Sequence, residues 1–244
     1  MILVYDTTFE GFLTLVHEVY YKKYKPHAIH KKDTTPNLLD EIIDIEYNEQ
    51  KSTKVFQGMK KLFCKNEINR IMNIFLCDNE AFEMQLLGYI KIGFKDKNEL
   101  KNINHREVFY IQNLHKELMR NTHKYSGFLR FAELEDGTLY AKIESKFSLV
   151  YLLGIHFSKR LNNQNYIIHD IERALAFVKF EDNKSVRNVA DFDMPVFSNE
   201  EQKFEKLWQT FFKAIAIESR SNKNLQRSLV PLIYRKYMNE FLNN

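Results

Sequence analysis

The sequence is poor in the residues that punctuate a chain. Seven glycines and four prolines in 244 residues leave little room for flexible linkers or disordered tracts. Only two cysteines are present, Cys64 and Cys77, and they form no CxxC pair. That excludes a disulfide framework and a zinc ribbon. It also withholds the thiolates that an iron–sulfur cluster needs, so no cofactor or metal of its own is expected. A reducing compartment suits such cysteine usage. The opening MILVYDTTFEGFLTL has no basic start and no long apolar run, which argues against a signal peptide. The longest apolar stretch, residues 149–157, is too short to span a bilayer. The expectation is a soluble cytoplasmic protein with no membrane partner. Missing too are HExxH, a Walker loop, the Rossmann glycine pattern and a nucleophile–base motif.

What is present is a large aromatic payload of 20 Phe and 13 Tyr in a chain that is 44% hydrophobic and 28% charged. That is ample for a globular core. The length allows one large domain or two small ones. A net charge of +4 is mild and compatible with an anionic partner.

Along the chain, Ile2 to Tyr5 reads as a short strand and Thr7-Thr8-Phe9-Glu10 as a capping box. Phe12, Leu13, Val16, Val19 and Tyr20 follow at helical spacing. Residues 33–50 hold six acids and no Lys or Arg, a surface excursion. From Thr53 to about Phe94 the pattern is helical, with breaks near Lys65-Asn66 and Asp78-Asn79. A further helix from about Arg106 to Asn121 turns Val108, Ile111, Leu114 and Leu118 inward. Then the period changes. GFLRFAEL and LYAKIES alternate about an EDGT turn, FSLVYLLGIHFSKRL is an apolar helix, and NYIIHDI with RALAFVKF makes another strand pair. The fold class is therefore α+β: helix-rich, with a small, mostly antiparallel sheet in a β-β-α-β-β unit at about 127–180, and C-terminal helices beyond a loop through Met194-Pro195. No linker marks a boundary, so 1–244 reads as a single domain, with a helical lobe at about 53–121 as the variant of that reading.

The polar residues leave several readings open. His115 lies on an inward helical stripe and suits a hydrogen-bonded core histidine. His156 and Arg160 share a helix face one turn apart. His169-Asp170 ends a strand, where an acid beside a histidine does general acid–base work or closes the hairpin through an Asx turn. These four, His156, Arg160, His169 and Asp170, are the catalytic candidates. Arg130, among aromatics on a sheet face, either takes phosphate or a base or serves a buried ion pair. Near the C-terminus, Phe204, Leu207, Trp208, Phe211 and Ile215 form an inner helical face that places the tryptophan in the core. Beyond Ile217 the stripe fails. From Lys213 to Lys236 there are six cations and one acid, Glu218. Arg220, Asn222, Lys223, Gln226, Arg227 and Arg235 are then phosphate-binding candidates at a helix junction, or a solvated basic face.

At these residues the chain resembles a known family. WQTFFKAIAIESRSNKNLQRSLVPLIYRKYMNEF is similar to the C-terminal signature of a bacterial family of unknown function described as DNA metabolism proteins. VYDTTFEGFLTLVHEVY, GFLRFAEL, GIHFSKRL and YIIHD are similar to its other landmarks, so the likeness spans nearly the whole chain. The acidic stretch at 33–50 departs from the family pattern. The resemblance implies an association with a radical-SAM iron–sulfur protein of DNA modification or repair. A related domain is fused to uracil-DNA glycosylase-like domains. Three functions follow as expectations: a DNA-binding partner of a radical-SAM enzyme, a DNA-repair enzyme in its own right, and a structural interaction protein without nucleic-acid contact.

Overall fold

The computed structural model describes residues 1–32, 40–190 and 196–241. Most of the acidic excursion's first half and the Met194-Pro195 loop lie outside them. The chain divides into two compact units, Met1–Leu118 and Met119–Asn244.

The first unit is built on a strand that is buried along its whole length. β1, Ile2–Tyr5, lies between β2, Ala28–Lys31, and β3, Ile42–Ile45, and both pairings are parallel. A central parallel strand has no solvated face, so ILVY is a continuous apolar run. Periodicity discloses β1 but neither flanking strand. AIHK and IIDI are four-residue edge strands with partly exposed side chains, and their alternation is too short to read. Helix α1, Phe9–Tyr21, starts where Thr8 Oγ1 accepts from the Gly11 amide at 2.9 Å. The cap is thus Thr8, one residue later than the capping-box reading. Asp6 Oδ1 in turn accepts from the Thr8 amide (3.1 Å) and hydroxyl (2.7 Å). Helices α2, Glu49–Leu62, α3, Lys65–Ile74, and α4, Glu83–Lys95 follow with breaks close to the expected ones. Phe75 sits at the centre of a ring cluster, 5.3 Å from Phe9, 5.5 Å from Phe12 and 5.1 Å from Phe82.

Helix α5, Arg106–Phe128, contributes its first part to this unit, and Val108, Ile111, Leu114 and Leu118 are buried as their spacing predicts. The helix runs seven residues past the expected end. In the second unit Tyr125 and Phe128 pack against Tyr234, at ring separations of 4.8 and 5.1 Å, which holds those last turns helical. The strand expected from Gly127 is therefore reduced to β4, Ala132–Glu133.

The second unit carries a five-stranded sheet in the order β4-β5-β6-β7-β8, with β5 at Leu139–Ile143, β6 at Tyr166–Asp170, β7 at Leu175–Phe180 and β8 at Asn183–Asn188. Only β5 and β6 pair in parallel, with helix α6, Val150–Arg160, making the crossover. The α+β, mostly antiparallel β-β-α-β-β reading holds, with β8 added. Helix α6 covers the sheet face that carries Tyr166, Ile168 and Phe177. Tyr166 donates to the Gly154 carbonyl at 2.6 Å, and a Cβ on Gly154 would stand 2.2 Å from the Phe177 ring. Glycine is therefore what lets helix and sheet approach so closely.

The C-terminal helices are α7, Asn199–Ala214, α8, Lys223–Leu229, and α9, Leu232–Arg235. The predicted inner face of α7 is not buried. Phe204, Leu207, Phe211 and Ile215 are all more than half exposed, and Trp208 is 42% exposed. The contacts that set the helix's rotation come from Gln209 and Phe212 on a neighbouring face and from Trp208 at the edge of the stripe. Gln209 donates to the Asn239 carbonyl at 3.1 Å, Trp208 Nε1 donates to Glu240 Oε2 at 3.3 Å, and Phe212 lies 5.9 Å from Phe241. These anchors leave the rest of the apolar stripe exposed.

Candidate functional site

The four catalytic candidates do not converge. In β6, alternation sends Asp170 to the buried face and His169 to the opposite one. Asp170 is fully buried and accepts from Arg173 at 3.1 Å. The same guanidinium donates to the carbonyls of Ser145 (2.8 Å) and Lys146 (2.9 Å). Burial pushes the Asp170 carboxyl up, against the pull of Arg173. With the Arg173 amide also donating to Oδ1 at 3.3 Å, its surroundings are those of a hairpin-closing acid. His156 and Arg160 share the exposed face of α6, the helix that covers the Asp170 side of the sheet.

His169 instead meets residues that no sequence motif singles out. The parallel register sets Tyr140 beside Ile167 and Lys142 beside His169, so Tyr140, Lys142 and His169 share the face away from α6. The Tyr140 hydroxyl and His169 Nδ1 are 2.7 Å apart. Burial, then the Lys142 charge, hold the His169 imidazole below its usual range. Burial, then Tyr237, push the Tyr140 phenol up to about 12. Both groups are therefore neutral near pH 7. Either the phenol donates to Nδ1 or, in the other tautomer, Nδ1–H donates to the phenol oxygen. Tyr140 and Lys142 also line a cavity of about 190 Å³ whose other walls include Phe131, Phe197, Tyr237 and Asn239. The i, i+2 spacing of Tyr140 and Lys142 is visible in LYAKIES; its pairing with His169 depends on a register that alternation does not specify.

Arg130 is not on a strand. It sits in the connection after α5, where Nη2 donates to Glu240 Oε1 at 2.7 Å, the ion-pair arrangement. Asn222 Oδ1 accepts from the Leu225 amide at 2.9 Å, so it caps α8. Arg220 lines a hollow with Asn222, Lys223 and Gln226. Lys223, Gln226, Arg227, Arg235 and Lys236 line a groove of about 680 Å³ together with Leu232 and Phe241. Four cations face this groove, and among the described residues no carboxylate lines it. Arg235 Nε donates to the Val230 carbonyl at 2.9 Å, and its guanidinium lies 4.2 Å from the Phe241 ring centre. Its Nη2 is buried without a hydrogen-bond partner among the described residues. Lys236 is held by Glu144, to which Tyr237 also donates.

Among the described residues, no three His, Cys, Asp or Glu side chains stand together as a metal site, and no helix is long and apolar enough to cross a membrane.

No solved structure matches the chain. Among curated proteins it is similar to Falcipain-2b of Plasmodium falciparum (isolate 3D7), at 27% identity over 183 residues. That alignment covers 68% of this chain and 36% of the other, so the chain spans little more than a third of that relative's length. The stretch that holds the hydrogen-bonded Tyr140–His169 pair and the cations of the basic groove lies inside a broader match, residues 80–240, and on that match the chain belongs to the family described as a domain of unknown function, DUF4130.

Proposed function

We propose that this protein is a nucleic-acid-associated protein of DNA metabolism that holds a phosphate backbone along its C-terminal basic groove. The observation that carries the reading is the groove of Lys223, Arg227, Arg235 and Lys236, with no carboxylate among its described walls. Arginine gives phosphate bidentate reach, and the Lys223 and Arg227 side chains are exposed to an incoming anion. The partner suggested by the resemblance is a radical-SAM iron–sulfur protein of DNA modification or repair, which this protein would help to engage DNA.

The test is fluorescence anisotropy of labelled DNA as a function of salt, with Lys223→Glu/Arg227→Glu beside the unmodified protein. Both side chains are exposed, so the variant keeps its stability. Binding should weaken, and the slope of log K against log salt should flatten by about one unit for each phosphate that is no longer neutralised. Unchanged affinity and slope would sink the reading. An affinity pull-down under anaerobic conditions then asks whether an iron–sulfur protein co-purifies.

A second reading, a DNA-repair enzyme in its own right, is favoured by the Tyr140–His169 hydrogen bond beside a cavity. Two neutral groups that share a proton are suited to general acid–base work. Turnover of uracil-containing or otherwise damaged DNA, abolished in His169→Asn, would support it.

A further inference from the structure

We propose that the cavity in front of Tyr140 receives a single nucleotide, with its base against the aromatic walls and its phosphate toward Lys142 and Lys236. This deepens the nucleic-acid reading and rests on it for the identity of the guest.

Size comes first. At about 190 Å³ the cavity is smaller than the roughly 300–1,000 Å³ of sites for drug-sized ligands, so it fits one small ring system. The walls select a planar guest, because Phe131, Tyr140, Phe197 and Tyr237 all contribute rings, and aromatic side chains take any base through its π-face. Tyr140 and Phe197 stand with ring centres 6.3 Å apart and tilted by 54°, open enough for a guest to touch either. The Asn239 amide offers both a donor and an acceptor to a base edge, and Glu205 offers an acceptor.

Charge comes second. Lys142 and Lys236 stand on the cavity walls with one carboxylate among the described residues, Glu205, and the Lys142 ammonium lies 5.7 Å from the Tyr140 ring centre. An aromatic-walled cavity whose cations outnumber its acids favours an anionic guest. Continuity comes third. Lys236 lines both this cavity and the basic groove. A strand whose phosphates follow Lys223, Arg227 and Arg235 therefore reaches the cavity mouth at Lys236, where one of its nucleotides can turn in.

The experiment uses the full chain and three probes: a single-stranded oligonucleotide with one 2-aminopurine, deoxyadenosine monophosphate, and inorganic phosphate. Phe197→Ala and Lys142→Gln are measured in parallel. Phe197 is an exposed ring, so its removal spares the core, and Lys142→Gln provides a second, conservative readout. Binding should change 2-aminopurine emission. Each variant should weaken mononucleotide binding, Phe197→Ala by about tenfold, the worth of one base stacked on an aromatic ring. If DNA binds and the emission does not respond, the cavity proposal is overturned while the groove reading stands. If DNA fails to bind but the mononucleotide binds saturably and Phe197→Ala weakens it, the cavity is a nucleotide site and the groove reading falls. If inorganic phosphate binds as tightly as the mononucleotide, the site recognises an anion only and the proposal is overturned.

Discussion

Arg130 Nη2 donates to Glu240 Oε1 at 2.7 Å, across 110 residues of sequence, and the Glu240 side chain that receives it is only 4% exposed. The same carboxylate accepts from Trp208 Nε1 through its other oxygen. One buried acid thus ties the end of α5 and helix α7 to the C-terminal turn. Burial pushes the Glu240 carboxyl up, but the Arg130 hydrogen bond and charge and the Trp208 bond outweigh it and hold the group below its usual range. A depressed carboxylate contributes stability above its unfolded pKa and loses it as pH falls through the folded one.

Arg130→Met should therefore destabilise the protein by about 3 kcal/mol, since it leaves a buried charge unpaired. Arg130→Met with Glu240→Gln should recover part of that deficit. Glu240→Gln alone should also flatten the fall in stability on acidification below about pH 4, within the ordinary carboxylate range. Urea titrations at several pH values read all three. A double variant whose cost equals the sum of the two single costs would show that the pair is not coupled.

Gly11 is fixed by Asp6. A Cβ at position 11 would lie 1.8 Å from Asp6 Oδ1, the oxygen that holds Thr8 in place to cap α1. Gly11→Ala should cost about 1–2 kcal/mol, the worth of a broken helix cap. In an Asp6→Ala background the added methyl should be nearly neutral. A double-mutant cycle by thermal unfolding measures the coupling; additive costs would mean that the clash is relieved elsewhere.

Trp208 lies at the edge of the exposed stripe of α7, 42% exposed, with one long hydrogen bond to Glu240. Trp208→Ala should cost about 1 kcal/mol, near the value of a single hydrogen bond, rather than the 3–5 kcal/mol of a large core truncation. As the only tryptophan, it should emit at a long wavelength and be quenched readily by acrylamide. Emission at short wavelength with a large drop in stability would show a buried ring.

His115 is the clearest pH-sensitive group. Burial, with the charge of Arg70, lowers its imidazole to about 4, and its Nε2 lies 3.4 Å from the Asn73 side-chain amide. Between about pH 4 and the ordinary value near 6.5 the unfolded chain binds a proton that the folded one does not. Stability of the first unit should therefore rise with pH across that window. His115→Gln should remove the slope of one proton, which hydrogen exchange of Ile111 and Leu114 amides would report.

Local pattern by itself determined the helix and strand types where a strong period was present. The inward stripe of α5, the β-β-α-β-β order and the breaks between α2, α3 and α4 follow from 3.6- and 2-residue spacing, because each such element must hide one face. The sequence also disclosed the cations of the basic groove, since charge is a property of composition. Tertiary structure decided the rest. Edge strands β2 and β3 are only four residues long and gain their pairing from β1. Tyr125 and Phe128 extend α5 because Tyr234 is there to receive them. The rotation of α7 follows Gln209 and Trp208, whose partners lie some thirty residues away. The Tyr140–His169 pair exists only because β5 and β6 run parallel in one register. Register and rotation depend on which distant groups meet, and neither amphipathic period nor charge encodes that by itself.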